Sequence, residues 1–226
     1  ALQITTNQSY DTQPVWSPDG SKIAFASYRL GGADIFVVSK DGGAPVRVTT
    51  NSANEFPIVF KDNNTILYSA YILPDPESMQ FPSSTFSQVY QVDIEGGRPA
   101  MFSSLPLESI TFAPDGKTIL YHDKKGYEDP WRKHHTSSIT RDIWLYDIAS
   151  ASHKQLTEWE GENRNPHYAK DNKSFYYLSE QNGTMNVYHR SIESSAPKQL
   201  TNFVGNPVRY LSVSSDGTLC YAYDGS

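Results

Sequence analysis

The sequence predicts an all-β chain, and three features predict it. Aromatic residues fill 13% of the 226 positions, 15 of them Tyr, and 14 Gly and 14 Pro interrupt them, a composition of many short strands and turns. Short apolar runs alternate with smaller residues, as in Lys22-Ile23-Ala24-Phe25-Ala26-Ser27, the period-two pattern of a half-buried strand. One turn, Pro14-Val15-Trp16-Ser17-Pro18-Asp19-Gly20, returns in altered form four more times.

In that turn, proline presets one backbone angle, Asp19 can accept from its own backbone and Gly20 tolerates positive φ. Trp16 reads as a large apolar anchor ahead of it. The equivalent acids are Asp19, Asp62, Asp115, Asp171 and Asp216, spaced by 43, 53, 56 and 45 residues. A base period of about 45 with two insertions is that of four-stranded propeller blades.

Each unit repeats the same order of strands. A first strand precedes each Asp, with Trp16, Val59, Phe112, Tyr168 and Val213 three residues before it. A second follows the turn, at 23–27, 66–70, 119–122, 175–179 and 219–223, each with an aromatic near its middle. A third comes at 34–38, 88–92, 142–146 and 186–190, and three of these four open with Asp or Asn, an apolar residue and an aromatic. After turns of Gly or small residues, a fourth closes the unit at 46–50, 100–103, 154–157 and 198–201. Four antiparallel strands per repeat, arranged radially, make a β-propeller. The blades are expected at about 8–50, 51–104, 105–158 and 159–202. Residues 1–7, whose Leu2-Gln3-Ile4-Thr5-Thr6-Asn7 matches a fourth strand, and 203–226 read as partial blades. An open arc would leave two sheet edges exposed, so a longer parent protein is expected.

Composition excludes several classes of function. A net charge of −6 argues against a nucleic-acid partner, which needs a concentrated basic surface. Cys220 is the single cysteine, so no internal disulfide and no multi-cysteine metal site is possible; its setting, Leu219-Cys220-Tyr221, predicts a buried thiol. No apolar run is long enough for a membrane helix, and the first residues do not read as a signal peptide. There is no Gly-x-Ser-x-Gly, no His-Glu-x-x-His and no phosphate-cradling loop. The sequence therefore calls for no catalytic residue and no cofactor.

Both insertions, 71–87 and 123–140, join second to third strands and so lie on one face, across from the Asp turns. Long loops on a rigid scaffold carry recognition. The first holds three prolines with Ile72, Leu73, Met79 and Phe81, a stiff apolar loop fit to hold a peptide or another domain. The second holds Gly126-Tyr127-Glu128-Asp129-Pro130-Trp131-Arg132-Lys133-His134-His135. There Tyr127 and Trp131 are anchors and Arg132 is a fork of donors for a carboxylate. His134 and His135 point apart on an extended chain and find no third ligand, so no metal is expected. Seven residues before each Asp stand Thr12, Glu55, Glu108, Arg164 and Arg209. In a radial repeat these positions ring the channel mouth, where they either select charged chain ends or pair between blades.

The repeats resemble those of TolB-type propellers. The resemblance rests on Pro14 to Gly20, Asp34-Ile35-Phe36, Asp142-Ile143-Trp144, Gln155-Leu156-Thr157 and Gln199-Leu200-Thr201. More narrowly, Gly126 to Trp144 resembles the propellers of tricorn-like serine peptidases of the C-terminal-processing class. That resemblance implies a large multidomain peptidase whose propellers precede a PDZ-like module and a separate serine catalytic core. No catalytic residue of that core maps onto this sequence. The partners it implies are a peptide or protein substrate and downstream domains of the parent, with no nucleic acid and no membrane insertion. The setting it implies is extracytoplasmic, in the periplasm. The competing expectations are a TolB-like interaction scaffold and the propeller of a prolyl-oligopeptidase-type hydrolase.

Overall fold

Strands and turns account for all the regular structure in the computed structural model, which describes residues 3–72, 86–127, 136–194 and 196–223. Two compact units divide the chain, Ala1–Pro106 and Leu107–Ser226. The first holds two antiparallel four-stranded blades. Blade 1 is β1 (Asp11–Trp16), β2 (Lys22–Leu30), β3 (Gly32–Ser39) and β4 (Val46–Arg47); blade 2 is β5 (Glu55–Phe60), β6 (Thr65–Ala70), β7 (Gln88–Asp93) and β8 (Gly96–Ser103). In the second unit, blade 3 is β9 (Leu107–Phe112), β10 (Thr118–Asp123), β11 (Ile143–Asp147) and β12 (Ser152–Gln155). Blade 4 is β13 (Asn163–Tyr168), β14 (Ser174–Ser179), β15 (Asn186–Ser191) and β16 (Lys198–Gln199), and a pair, β17 (Val208–Val213) with β18 (Leu219–Tyr223), follows.

The recurring Asp closes the first hairpin of every blade by accepting from the backbone ahead of it. Asp19 Oδ1 accepts from the Ser21 N–H at 3.0 Å, Asp62 from Asn64 at 2.9 Å, Asp115 from Lys117 at 3.0 Å, Asp171 from Lys173 at 2.9 Å and Asp216 from Thr218 at 2.9 Å. The residue after the Asp takes the left-handed conformation in four turns: Gly20 at φ 67°, Gly116 at 71°, Gly217 at 90° and, in place of glycine, Asn172 at 59°. Neighbouring turns are also latched. Asn63 Oδ1 accepts from the Asp19 N–H at 3.1 Å in the first unit, and Asn172 Nδ2 donates to Asp115 Oδ2 at 2.9 Å in the second.

A second recurring device joins the third strand to the fourth. Thr49, Thr157 and Thr201 each accept through Oγ1 from the backbone N–H of Ile35, Ile143 and Val187, at 2.9 Å in all three cases. Thr157 and Thr201 also donate to Asp142 Oδ1 (3.1 Å) and Asn186 Oδ1 (2.9 Å). Gln155 and Gln199 return a bond to the carbonyls of Thr157 (2.8 Å) and Thr201 (2.7 Å), and Gln3 makes the same bond to Thr5 at 2.8 Å although residues 3–10 form no strand. In these three blades the fourth strand is short because a side chain, not the ladder, satisfies the next buried donor. Blade 2 has Gln88 and Ser103 at these positions, and Gln88 Oε1 is buried without a partner.

The core lies between blades. In the first unit Ala24, Ile35, Val37 and Val48 of blade 1 pack against Phe60, Ile66, Tyr68 and Tyr90 of blade 2. In the second, Leu120, Ile143 and Leu156 of blade 3 meet Tyr168, Phe175 and Tyr177 of blade 4, and Leu178 and Val187 meet Val208 and Leu211. Alternation along the strand corrects two sequence-based expectations. Val15 faces the shared core, whereas Trp16, next along β1, faces away and is 57% exposed. The equivalent Tyr168 is buried because blade 3 covers it and Thr118 Oγ1 bonds its hydroxyl at 2.6 Å. Likewise Leu219 packs inward, and Cys220 is exposed on the opposite face of β18.

Thr157→Val should destabilise the chain by about 1–3 kcal/mol in urea unfolding, because it orphans the buried Ile143 donor and removes a bond to Asp142; a loss under about 0.5 kcal/mol would contradict this role. His167 is pushed down to about 4 by burial, which outweighs its 2.8 Å hydrogen bond to the Leu211 carbonyl. Its folded value lies below its unfolded one, so its contribution is complete above about pH 6.5 and is lost as pH falls toward 4, by at most about 3 kcal/mol. His167→Gln should flatten that part of the stability profile.

Candidate functional site

The second insertion leaves β10 at Lys124 and returns through 136–142, and its base is tied down by charge. Lys125 Nζ bonds Asp142 Oδ2 at 2.6 Å and the Thr140 carbonyl at 2.9 Å. Asp123 Oδ1 accepts from the Asp142 N–H at 2.7 Å. Burial pushes the Asp123 carboxyl up, and it lowers Lys125 less than the two acids raise it. Thr140 Oγ1 donates to the carbonyls of Ser137 and Glu160, both at 2.9 Å, and a single bridge pairs Thr136 with Gly161. The loop base is thereby fastened to the connector between blades 3 and 4.

Beside this base lies a polar cleft of about 410 Å³, lined by Lys125, Ser137, Asp142, Glu158, Trp159 and Glu160 among others. The Trp159 indole covers Gly161 so closely that a Cβ there would stand 2.0 Å from a ring carbon. A side chain at that place would push the indole aside, and neither residue stood out in the sequence.

A second cluster forms where the first strands begin. In β9 and β13 two residues, Ser109-Ile110 and Asn165-Pro166, oppose one aromatic, Tyr121 and Tyr177. Ser109 and Asn165 take positive φ of 53° and 52° there, and Gln13 repeats the device in β1 at 52°. Such a bulge re-aims the side chain before it, here Glu108 and Arg164. Glu108 accepts from His122 Nε2 at 3.2 Å, Lys124 Nζ at 3.1 Å and Arg141 Nε at 3.5 Å. His122 Nδ1 accepts from the Asn165 N–H at 3.1 Å, so its proton sits on Nε2 and points at Glu108. Arg141 also holds Glu162, through Nη1 at 2.8 Å and its backbone N–H at 3.2 Å. Burial alone would raise Glu108, but the His122 bond and the charges of Lys124 and Arg141 hold it well below the usual carboxylate range.

Of the sequence-predicted residues, Glu108, Arg164 and Arg209 stand second in β9, β13 and β17 of the second unit. Glu55 opens β5 in the first, 1% exposed, its carboxyl raised by burial and its Oε2 without a partner. Tyr127 is 84% exposed. Phe81, Trp131, Arg132, His134 and His135 lie outside the described residues. Among the described residues no group of three His, Cys, Asp or Glu could hold a metal ion. Sequence reasoning missed His122, Arg141 and Glu162. Arg141 alone carried a signal, as part of Thr140-Arg141-Asp142-Ile143-Trp144.

Antiparallel four-stranded blades of this order are those of a β-propeller domain. The chain belongs to the family described as the tricorn protease N-terminal beta propeller domain, whose model matches residues 1–226. It is 24% identical over 221 residues to a tricorn protease homolog of Saccharolobus solfataricus, covering 96% of this chain and 19% of that protein. An Agrobacterium fabrum protein is 26% identical over 125 residues, covering 53% of this chain and 42% of the relative. The chain thus spans less than half the length of the curated relatives it matches. Among solved structures, the tricorn protease aligns with a TM-score of 0.73 at 21% identity, over 98% of this chain and 21% of that one. A TolB-like protein of Agrobacterium tumefaciens aligns with 0.69 at 21% identity, over 97% and 72%. These likenesses are of fold.

Glu108→Gln should cost about 1–3 kcal/mol near neutral pH, since it removes charged hydrogen bonds from a partly buried carboxylate. The depressed carboxyl stabilises fully above its unfolded value of about 4.5, and its contribution is lost at lower pH. The gap between parent and variant in urea unfolding should therefore shrink as the solution is acidified below that value; a gap constant from pH 7 to 3 would contradict the ion network.

Proposed function

We propose that this chain is a noncatalytic propeller domain of a tricorn-like serine peptidase, gating or orienting peptide substrate, or docking on other domains of the parent, while another domain cleaves. The observation that carries the reading is the family match along the whole chain, joined to a set of fixed charges beneath the insertion of blade 3. A propeller supplies a rigid frame, and loops on its rim supply recognition. The peptide or protein substrate and the remaining domains of the parent are its partners, and the setting is extracytoplasmic by analogy with TolB-type propellers.

The likeness to TolB structures favours a second reading, an interaction scaffold whose insertion face holds a partner protein. A third, the propeller of a prolyl-oligopeptidase-type hydrolase, has the weaker support of a TM-score of 0.61 at 16% identity to a prolyl endopeptidase.

Purified chain should give no turnover of a fluorogenic peptide panel above the buffer blank; turnover that scales with the chain through successive columns would defeat the noncatalytic reading. Trp131→Ala with Arg132→Ala should weaken peptide binding about tenfold and leave the melting temperature nearly unchanged, as for recognition residues. A large thermal loss with unchanged binding would mean that these side chains serve the fold instead.

A further inference from the structure

The cleft beside the second insertion has an acidic wall that the fold leaves unanswered. Its two sides are held together from below: Thr140 Oγ1 donates to the Glu160 carbonyl, and the Thr136–Gly161 bridge joins the returning insertion to the connector between blades 3 and 4. The space of about 410 Å³ between them falls within the size range of ligand pockets.

Most polar groups lining that space are already committed. Lys125 Nζ bonds Asp142 Oδ2 at 2.6 Å and stands 3.6 Å from Asp123 Oδ2, while Asp142 Oδ1 accepts from Thr157. Gln155 Nε2 donates to the Thr157 carbonyl, and Ser137 Oγ accepts from the Ile139 N–H. Glu158 and Glu160 differ from these. Both line the cleft and are exposed, and among the described residues neither carboxylate has a hydrogen bond or an ion pair. Arg190 feels the Glu158 charge, but it is bonded to the carbonyls of Leu156 and Ser191 and lies over the Phe175 ring. Even with Arg190 counted, the three acids of the cleft stand against two cations, both engaged.

An exposed glutamate by itself is merely solvated, and what sets these two apart is the indole between them. Trp159 is half-buried, its six-membered ring packs on the bare backbone of Gly161, and it forms part of the wall of this cleft and of a smaller one beside Tyr177. A tryptophan ring attracts an organic cation, and carboxylates beside it accept charge-assisted hydrogen bonds from the same group. A metal ion has no use for the ring, and among the described residues no group of three His, Cys, Asp or Glu could hold one.

We infer that Trp159, Glu158 and Glu160 form a subsite, in the cleft at the base of the second insertion, for a cationic Lys or Arg side chain of a bound peptide. The inference rests on the peptide reading given above. One such cation balances the acidic wall, and the Thr136 and Ser138 sides of the cleft supply hydroxyl acceptors for its remaining donors.

Calorimetry on the 226-residue chain at constant ionic strength tests it with five probes. These are a neutral hexapeptide blocked at both ends, the same peptide with one Arg, one Lys or one Glu, and methylguanidinium chloride. At least one cationic peptide should bind about tenfold or more tighter than the neutral one, and the Glu peptide no tighter; Arg against Lys tells which head is preferred. Glu158→Gln with Glu160→Gln should erase that preference at an unchanged melting temperature, since neither carboxylate is paired in the free chain. Glu95→Gln with Glu193→Gln, an equal change of charge at exposed positions outside the cleft, should keep it. Equal binding of neutral and cationic peptides would overturn the subsite and leave the peptide reading standing. Methylguanidinium binding that the Glu158 and Glu160 variant abolishes, with no peptide bound, would support the subsite and overturn the peptide reading. A cation preference that survives in that variant, one that the control pair loses equally, or no binding of any probe would overturn the assignment.

Discussion

Three of the four blades must satisfy a backbone donor that a short outer strand cannot reach, and a threonine hydroxyl does this in each, whereas in blade 2 the longer β8 runs on to pair Ser103 with Val89. β4 and β16 are two residues long, yet the Ile35 and Val187 donors are buried close to them. Thr49 and Thr201 stand in for the next rung of the ladder, and Thr157 does the same for Ile143. With that donor paired, the third strand can bury both faces, and the neighbouring blade packs on it without leaving an orphaned polar group. The interblade cores, with Ile35 in one unit and Ile143 in the other, rest on this bond.

The same economy explains why charge collects where it does. The turns with the repeating Asp are closed locally by backbone donors and by latches between neighbouring turns. The opposite ends of the first strands are bulged, and the bulge turns Glu108 and Arg164 out of the regular alternation of the sheet. Charges at that end can therefore be buried beside one another. Arg141 and His122 resolve most of the burial by pairing with Glu108 and Glu162. Arg164, buried near the start of β13 with its Nε unpaired, stands apart from this closed network.

The repeat was legible in the sequence because it is a local device used many times. Asp19 and its four equivalents mark the hairpins, and Asp142-Ile143-Trp144 with Gln155-Leu156-Thr157 marks the paired third and fourth strands, now seen as two halves of one hydrogen-bonded clasp. Exposure was less legible, since it depends on what lies against a strand: Trp16 and Tyr168 occupy the same repeat position, and only Tyr168 is covered. Cys220 was misread for the same reason, as a neighbour of apolar residues in sequence and not on the same face. The candidate site was readable as positions, through Glu108 and Arg164, but not as partners. His122 reaches it from β10, Arg141 from the return of the second insertion and Glu162 from the connector ahead of β13, and no spacing within the sequence announces such meetings.

The central claim, that a threonine hydroxyl stands in for the next ladder bond, can be read directly from amide hydrogen exchange at Ile143, whose N–H is held by Thr157 Oγ1. The account predicts an Ile143 amide that is protected in the parent chain and exchanges much faster in Thr157→Val, while the Ile35 amide, held by Thr49 in the other unit, keeps its protection. An Ile143 amide equally protected in both proteins would contradict it.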